Sequence, residues 1–202
     1  MTVQNDHKTG QSGFSLIEML FVCVILAFTV GMISTVVTGI QRNYTEQMAR
    51  TDALNDATAS LDMITRLIRT AGNNPGAIVG LQAIDPETPV SGQYKSIRIR
   101  SDWRGSTMSS MPDGDIADPF EDIRFLVSNG KLMKKEAADA SPVEYLDNVI
   151  DMTFVYYDTN NALITDPVTN NGSIARIDVT IIVQPPRSQP VTFTSSAYLR
   201  VR

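Results

Sequence analysis

The chain has very few of the side chains that most catalytic and metal sites use. Its 202 residues include one cysteine, Cys23, and one histidine, His7. A single cysteine excludes an intrachain disulfide. His7 lies among thirteen polar N-terminal residues, and the rest of the chain has no histidine to build a Ser/His/Asp or Cys/His site or a usual zinc site. We therefore predict that the protein is not an enzyme, because only carboxylates, lysines and tyrosines remain for catalysis.

An excess of basic side chains is also missing. Lysine and arginine together number 17 against 22 aspartates and glutamates, so the formal net charge is −5. Residues 1–13 contain one aspartate and one lysine, so the charge is the same without them. Proteins that bind nucleic acid generally show a basic patch or stripe. The composition predicts no nucleic-acid partner.

One long apolar segment follows the polar N-terminus. It runs from Phe14 to Ile40, and Glu18 is its only charged residue. About 20 apolar residues suffice to cross a bilayer core. The segment is too long for the apolar core of a secretory signal, and no Ala-x-Ala cleavage site follows it. The pattern predicts a leader over 1–13, a membrane-spanning helix over 14–40 and an aqueous domain over 41–202.

Glu18 is an unusual residue at this position. An ionised carboxylate in hydrocarbon costs at least ~2.5–3.5 kcal/mol on insertion scales, so such residues usually have a partner and a function. A buried opposite charge compensates this cost and penalises any arrangement that leaves either charge alone. The alternative is a simple signal-anchor helix in which the acid has no role.

The residues Gly13-Phe14-Ser15-Leu16-Ile17-Glu18 resemble the type IV prepilin motif. The resemblance implies that a membrane peptidase, the prepilin peptidase, cleaves after Gly13 and methylates the new amine of Phe14. It also implies that Glu18 pairs with the terminal amine of a neighbouring subunit when the helix joins a filament. Gly13 and Phe14 are thus the expected processing residues, and Glu18 is the expected assembly residue.

The apolar pattern continues beyond the membrane segment with helical spacing. Steps of 3, 4, 3, 4 and 3 residues place one apolar stripe on a helix. The stripe consists of Leu54, Ala57, Leu61, Ile64, Ile68 and Ala71. Gly72 and Pro75 then favour termination. We expect one helix over about 14–71 whose outer half packs on a folded domain.

Beyond Pro75 the pattern changes to the two-residue alternation of strands. The clearest example is Ile177, Val179, Ile181 and Val183, and Asn129-Gly130 predicts a tight hairpin turn. Further strands are expected around Ile97, around Phe125, over Tyr145–Tyr157, and from Val191 to the C-terminus. The fold class is therefore α+β, with a long N-terminal helix and an antiparallel β-sheet packed on its outer half.

Several of these segments resemble the minor pilins of the PilW class and the J-type pseudopilins of type II secretion. They are the helix end Ile64–Gly72, Ile123–Phe125 with Asn129–Leu132, Asn148–Phe154, and Tyr198–Arg202. The resemblance implies a structural subunit for assembly or initiation of a type IV pilus or a type II secretion pseudopilus. Its expected partners are the prepilin peptidase, other pilins or pseudopilins, and lipid of the bacterial inner membrane, with a periplasmic C-terminal domain.

Two alternatives to this function stay open. Within the same class, the chain would be a major fibre subunit. In a different class, it would be a membrane-anchored periplasmic enzyme or binding module.

One loop is rich in carboxylates. Asp113, Asp115, Asp118 and Glu121 lie within nine residues, and Asp122 follows directly. Closely spaced carboxylates supply the hard oxygen ligands that calcium prefers, although the spacing is not that of an EF-hand. We expect no other cofactor. The alternative is an acidic loop that is simply solvated.

Overall fold

A computed structural model describes residues 15–87, 89–105 and 111–200. The expected processing junction, Gly13 and Phe14, lies outside these residues. The chain divides into two compact units, Met1–Thr45 and Glu46–Arg202.

The long N-terminal helix is confirmed. Helix α1 spans Leu16–Thr70, close to the predicted 14–71. Gly72 follows it with φ 74°, a left-handed conformation that glycine adopts without strain and that commonly ends helices. The Gly72 N–H donates to the carbonyl oxygen of Arg100 at 2.9 Å, outside the helix. The helix therefore ends where the glycine signal predicts.

The part of α1 in the first unit has no buried residue. Every residue over 16–45 is exposed, including the large apolar side chains. An 18-residue window of α1 has a mean hydropathy of 2.6, which makes this helix long and apolar enough to cross a membrane. Three threonines of the apolar segment 16–40 donate their hydroxyls to backbone carbonyls one turn earlier: Thr29, Thr35 and Thr38.

The part of α1 in the second unit buries one stripe. The apolar residues predicted to form it are buried, apart from Leu54, which is partly buried against the core; the buried ones are Ala57, Leu61, Ile64, Ile68 and Ala71. Ser60 and Thr65 are also buried there, and their hydroxyls donate to the carbonyls of Asp56 and Asp62. The stripe therefore enters the core without an unpaired hydroxyl.

Five strands form one antiparallel sheet in chain order. They are β1 Ile84–Pro86, β2 Ser96–Arg100, β3 Asp122–Ser128, β4 Lys131–Glu136 and β5 Val143–Leu146. In the register of β2 and β3, Ile97 lies opposite Phe125, and both are fully buried. Asn129 and Gly130 both have positive φ, as a two-residue hairpin turn of the I′ type requires, so the predicted β3–β4 hairpin is confirmed.

Three further strands form a second antiparallel sheet. They are β6 Val149–Tyr157, β7 Arg176–Val183 and β8 Val191–Tyr198, with β7 in the centre. Alternate residues of β7 are buried, as its sequence predicts. The backbone N–H of Phe154 in β6 donates to Tyr94 O at 2.8 Å, close to the start of β2. Side chains from both sheets and from α1 form a single hydrophobic core.

Three details differ from the sequence prediction. The single expected sheet is two sheets, and the segment Tyr145–Tyr157 is divided between them. The division falls at Asn148, whose φ of 60° turns the chain between β5 and β6. Strand β8 ends at Tyr198, before the predicted end of the last strand. Strand β1 was not predicted, because three residues that include Pro86 carry too short a pattern.

Candidate functional site

Glu18 lies in the first turn of α1. Its backbone N–H donates to Ser15 O at 3.0 Å, and its apolar neighbours along the chain, Ile17 and Met19, are largely exposed. The amino end of a helix carries a partial positive charge that favours an acidic side chain. The carboxylate is thus placed on an accessible apolar surface, where it can accept hydrogen bonds from an ammonium group.

Small residues follow one face of the same helix segment. Ala27, Gly31, Thr35 and Gly39 recur every four residues, and a shallow groove is lined by Ala27, Gly31 and Thr35 together with Phe28 and Met32. A Cβ atom added at Gly31 or Gly39 would meet nothing within 4 Å. The packing within this chain therefore does not require these glycines. In membranes, such faces allow two helix backbones to approach closely.

The acidic loop brings together three of its four predicted ligands. One carboxylate oxygen each from Asp113, Asp115 and Asp118 lies within 4.8 Å of the other two. Backbone N–H groups support the loop: that of Ala117 donates to Asp115 Oδ1 at 2.8 Å. Burial raises the pKa of Asp118, and the charges of Asp113 and Asp115 raise it further. The three carboxylates repel one another where they lie.

Glu121 has a different environment from this trio. It is fully buried, and its Oε1 accepts the backbone N–H groups of Trp103 and Arg104 at 2.8 and 2.9 Å. Burial raises the pKa of Glu121, the two N–H groups oppose that shift, and the charges of Asp102 and Asp118 add to it. One of its oxygens therefore organises the 103–104 backbone, a role that the spacing of the acids did not indicate.

Asp102 is a buried carboxylate that the sequence interpretation did not include. It is fully buried, and its Oδ2 accepts the Gly76 N–H at 3.0 Å. A Cβ atom added at Gly76 would lie 2.2 Å from that oxygen and 2.5 Å from Gly114 Cα. The backbone of Gly76 therefore contacts both the Asp102 carboxylate and the backbone of Gly114. The only available signal was the position of Asp102, two residues after the end of β2.

Arg104 is a basic side chain whose charge acts on this loop. It is buried, and its guanidinium stacks over the rings of Trp103, at 4.0 Å, and Phe120, at 5.3 Å. Its charge lowers the pKa of Asp118, against the stronger effects of burial and of the other aspartates. One arginine thus offsets part of the negative charge of the loop.

The comparisons with known proteins concern the apolar segment of α1 that contains Glu18. The prokaryotic N-terminal methylation motif matches residues 8–34, a range that includes Glu18. No curated protein matches the chain. The motif implies processing by prepilin peptidase and assembly with other pilins, and the single apolar helix fits a single-pass anchor in the inner membrane. Together with the long helix and the antiparallel sheets, the match supports a type IV pilin-like protein, which is a structural subunit.

Proposed function

We propose that this protein is a minor pilin or pseudopilin that helps to assemble or initiate a type IV pilus or a type II secretion pseudopilus. The observation that carries this proposal is the apolar segment 16–40, which is exposed along its whole length and has Glu18 in its first turn. Such a surface needs an apolar environment on every side. Lipid of the inner membrane supplies it before assembly, and the helices of other subunits supply it in a filament.

The carboxylate of Glu18 makes the transfer of the helix from lipid into the filament specific for one arrangement of subunits. Cleavage after Gly13 places a new amine on Phe14, four residues before Glu18 and about one helical turn away. Inside an apolar filament each of these charges is costly alone, whereas a pair compensates much of the cost. A subunit whose Glu18 meets the amine of a neighbour is therefore favoured over every misaligned arrangement. The amine and the carboxylate thereby determine how the entering helix is aligned with its neighbour.

The choice of a minor subunit over a major one is supported by the sequence resemblance and by the helix. The chain resembles the PilW class and the J-type pseudopilins, whereas many major pilins have a helix-breaking proline in the membrane half. Helix α1 contains no proline and is continuous from Leu16 to Thr70. A major fibre subunit is the next candidate.

The test of this proposal is the substitution Glu18→Ala in the native host. It leaves the Phe14 amine without its partner, which by comparison with other broken buried ion pairs costs ~3–5 kcal/mol. We expect a protein that remains in the membrane but no longer copurifies with the other filament subunits. Glu18→Gln keeps hydrogen bonding and should lose less. Mass spectrometry of the N-terminus serves as the control, since both variants should begin at a methylated Phe14.

Two results would contradict the proposal. An intact Met1 in the wild-type membrane protein would exclude prepilin processing. Assembly of Glu18→Ala at the wild-type level would show that the carboxylate is not an assembly determinant. The chain would then be better described as a membrane-anchored periplasmic binding module or enzyme.

A further inference from the structure

Three carboxylate oxygens around the acidic loop are buried and have no hydrogen-bond partner among the residues that the structure describes. They are Asp102 Oδ1, Asp118 Oδ2 and Glu121 Oε2. Asp102 and Glu121 are 0% exposed. Native proteins pair nearly all buried polar atoms, so an unpaired buried oxygen usually contacts an ion or an ordered water. Three such atoms, all from acidic side chains, indicate a positively charged ligand.

These oxygens lie at the aspartate trio, not in separate parts of the domain. Asp118 is itself a member of the trio. Gly76, whose N–H donates to Asp102 Oδ2, packs against the backbone of Gly114, the residue between Asp113 and Asp115. The charges of Asp102 and Asp118 both act on Glu121. The unpaired oxygens therefore lie beside or within the trio of Asp113, Asp115 and Asp118.

The charges of this cluster are far from balanced. Five carboxylates act on the pKa values of Asp118 and Glu121 here, those of Asp102, the trio and Glu121 itself, and the charge of Arg104 opposes them at Asp118. The neighbouring Asp122 does not share that arginine, because it pairs with Arg98 and Arg100 of β2. A divalent cation is the simplest ligand that reduces the remaining negative charge.

We propose that the loop binds a hard divalent cation of the calcium type through Asp113, Asp115 and Asp118, with Glu121 and Asp102 forming the inner wall of the site. Calcium accepts six to eight oxygen ligands in flexible geometry, whereas magnesium demands a small octahedral site and retains several waters. Zinc is disfavoured, because it prefers nitrogen and sulfur ligands and the cluster offers carboxylates only.

The ion would join two segments that are distant in the chain. Asp102 already holds the turn after α1 through the Gly76 N–H, and the trio lies in the loop before β3. Bound cation would remove the repulsion between these carboxylates. The second unit should therefore be more stable with calcium than without it.

The single tryptophan provides a direct assay. Trp103 donates its backbone N–H to Glu121, so a terbium ion in the site would lie near the indole ring. Terbium substitutes for calcium and emits when a nearby tryptophan is excited. We expect saturable emission from the full-length protein in detergent, displaced by calcium and much less by magnesium at equal concentration.

The matched variants are two double substitutions that remove the same charge. Asp115→Asn with Asp118→Asn alters the trio, and Asp52→Asn with Asp56→Asn alters exposed aspartates of α1. We expect the loop variant to bind terbium at least tenfold more weakly and the helix variant to bind as wild type does. Calcium should raise the melting temperature of wild type by several degrees and that of the loop variant hardly at all.

A metal-free measurement separates loss of the site from loss of the fold. Without metal, the loop variant should melt at or above wild type, since two repelling charges are gone. If it fails to fold, the single substitution Asp113→Asn on an exposed side chain replaces it, with the same expected weakening. Emission that does not saturate, or equal terbium binding by wild type and the loop variants, would overturn the proposal.

Discussion

The two parts of helix α1 have similar apolar side chains with opposite burial. Over 16–45 every residue is exposed, and Ile33 is 62% exposed. Over 46–70 one stripe is buried, and Ile64 is 0% exposed. The first part is therefore an apolar surface that the described residues leave exposed, and the second completes a core. Apolar content alone does not distinguish these uses, whereas the spacing of apolar residues does.

The largest expected effect comes from comparing the same substitution, isoleucine to alanine, made separately in each part of the helix. Ile64→Ala removes a fully buried side chain and should lower the free energy of unfolding by ~2–5 kcal/mol. Ile33→Ala should change it by less than ~0.5 kcal/mol, because that side chain contacts no core. Denaturant unfolding of the full chain in detergent, followed by Trp103 fluorescence, measures both. Equal losses would show that the two parts of the helix do not differ as described.

A second comparison tests the small-residue face. Gly31→Leu should leave folding intact and strengthen the helix locally, since leucine favours helix more than glycine does. It should nevertheless reduce filament entry by about tenfold, or ~1.4 kcal/mol, because the leucine keeps a neighbouring helix away. Copurification with the other subunits measures this.

The control for Gly31→Leu is Val36→Phe, which adds bulk at a position ~140° around the helix axis from Gly31. It should enter filaments nearly as wild type does. If both variants assemble normally, the small-residue face has no part in helix packing.

The smallest effect is expected in the core of the second unit. Tyr156 is buried, burial raises the pKa of its phenol, and its hydroxyl has no hydrogen-bond partner within the described part of the chain. Tyr156→Phe removes that unpaired group and should leave stability unchanged or raise it by up to ~1 kcal/mol. Tyr145→Phe is the comparison, because the Tyr145 hydroxyl contacts Met63 Sδ at 2.7 Å and its loss should not stabilise. A marked loss of stability in Tyr156→Phe would reveal a partner for that hydroxyl.

The sequence was most informative where a local pattern determines the structure. The stripe Ala57–Ile68, the alternation of β7 and the Asn129-Gly130 turn were all predicted correctly, because periodicity and turn chemistry act over a few residues. The division into two sheets was not predicted. It depends on Asn148 turning between β5 and β6, and strand partners are chosen by contacts distant in the chain.

The acidic loop could be predicted only in part, because only the spacing of its acids is a local pattern. The spacing of Asp113, Asp115 and Asp118 indicated that they would lie together, and they do. The second role of Glu121 as an acceptor of backbone N–H groups arises from its packing against Trp103 and Arg104. The burial of Asp102 beside Gly76 joins residues 26 positions apart in the chain. Neither follows from local spacing.

The threonines of the apolar part of α1 have a consequence for movement between solvents. Thr29, Thr35 and Thr38 each donate to a carbonyl of their own helix, so these hydroxyls need no hydrogen bond from outside. A segment of this kind can pass from lipid to a dry protein environment without any of the three losing or gaining a hydrogen bond. If the protein has the proposed function, moving the helix body from lipid into a filament changes the hydrogen bonding of these hydroxyls very little. The equilibrium between membrane and filament then depends on Glu18 and on the packing of the small residues.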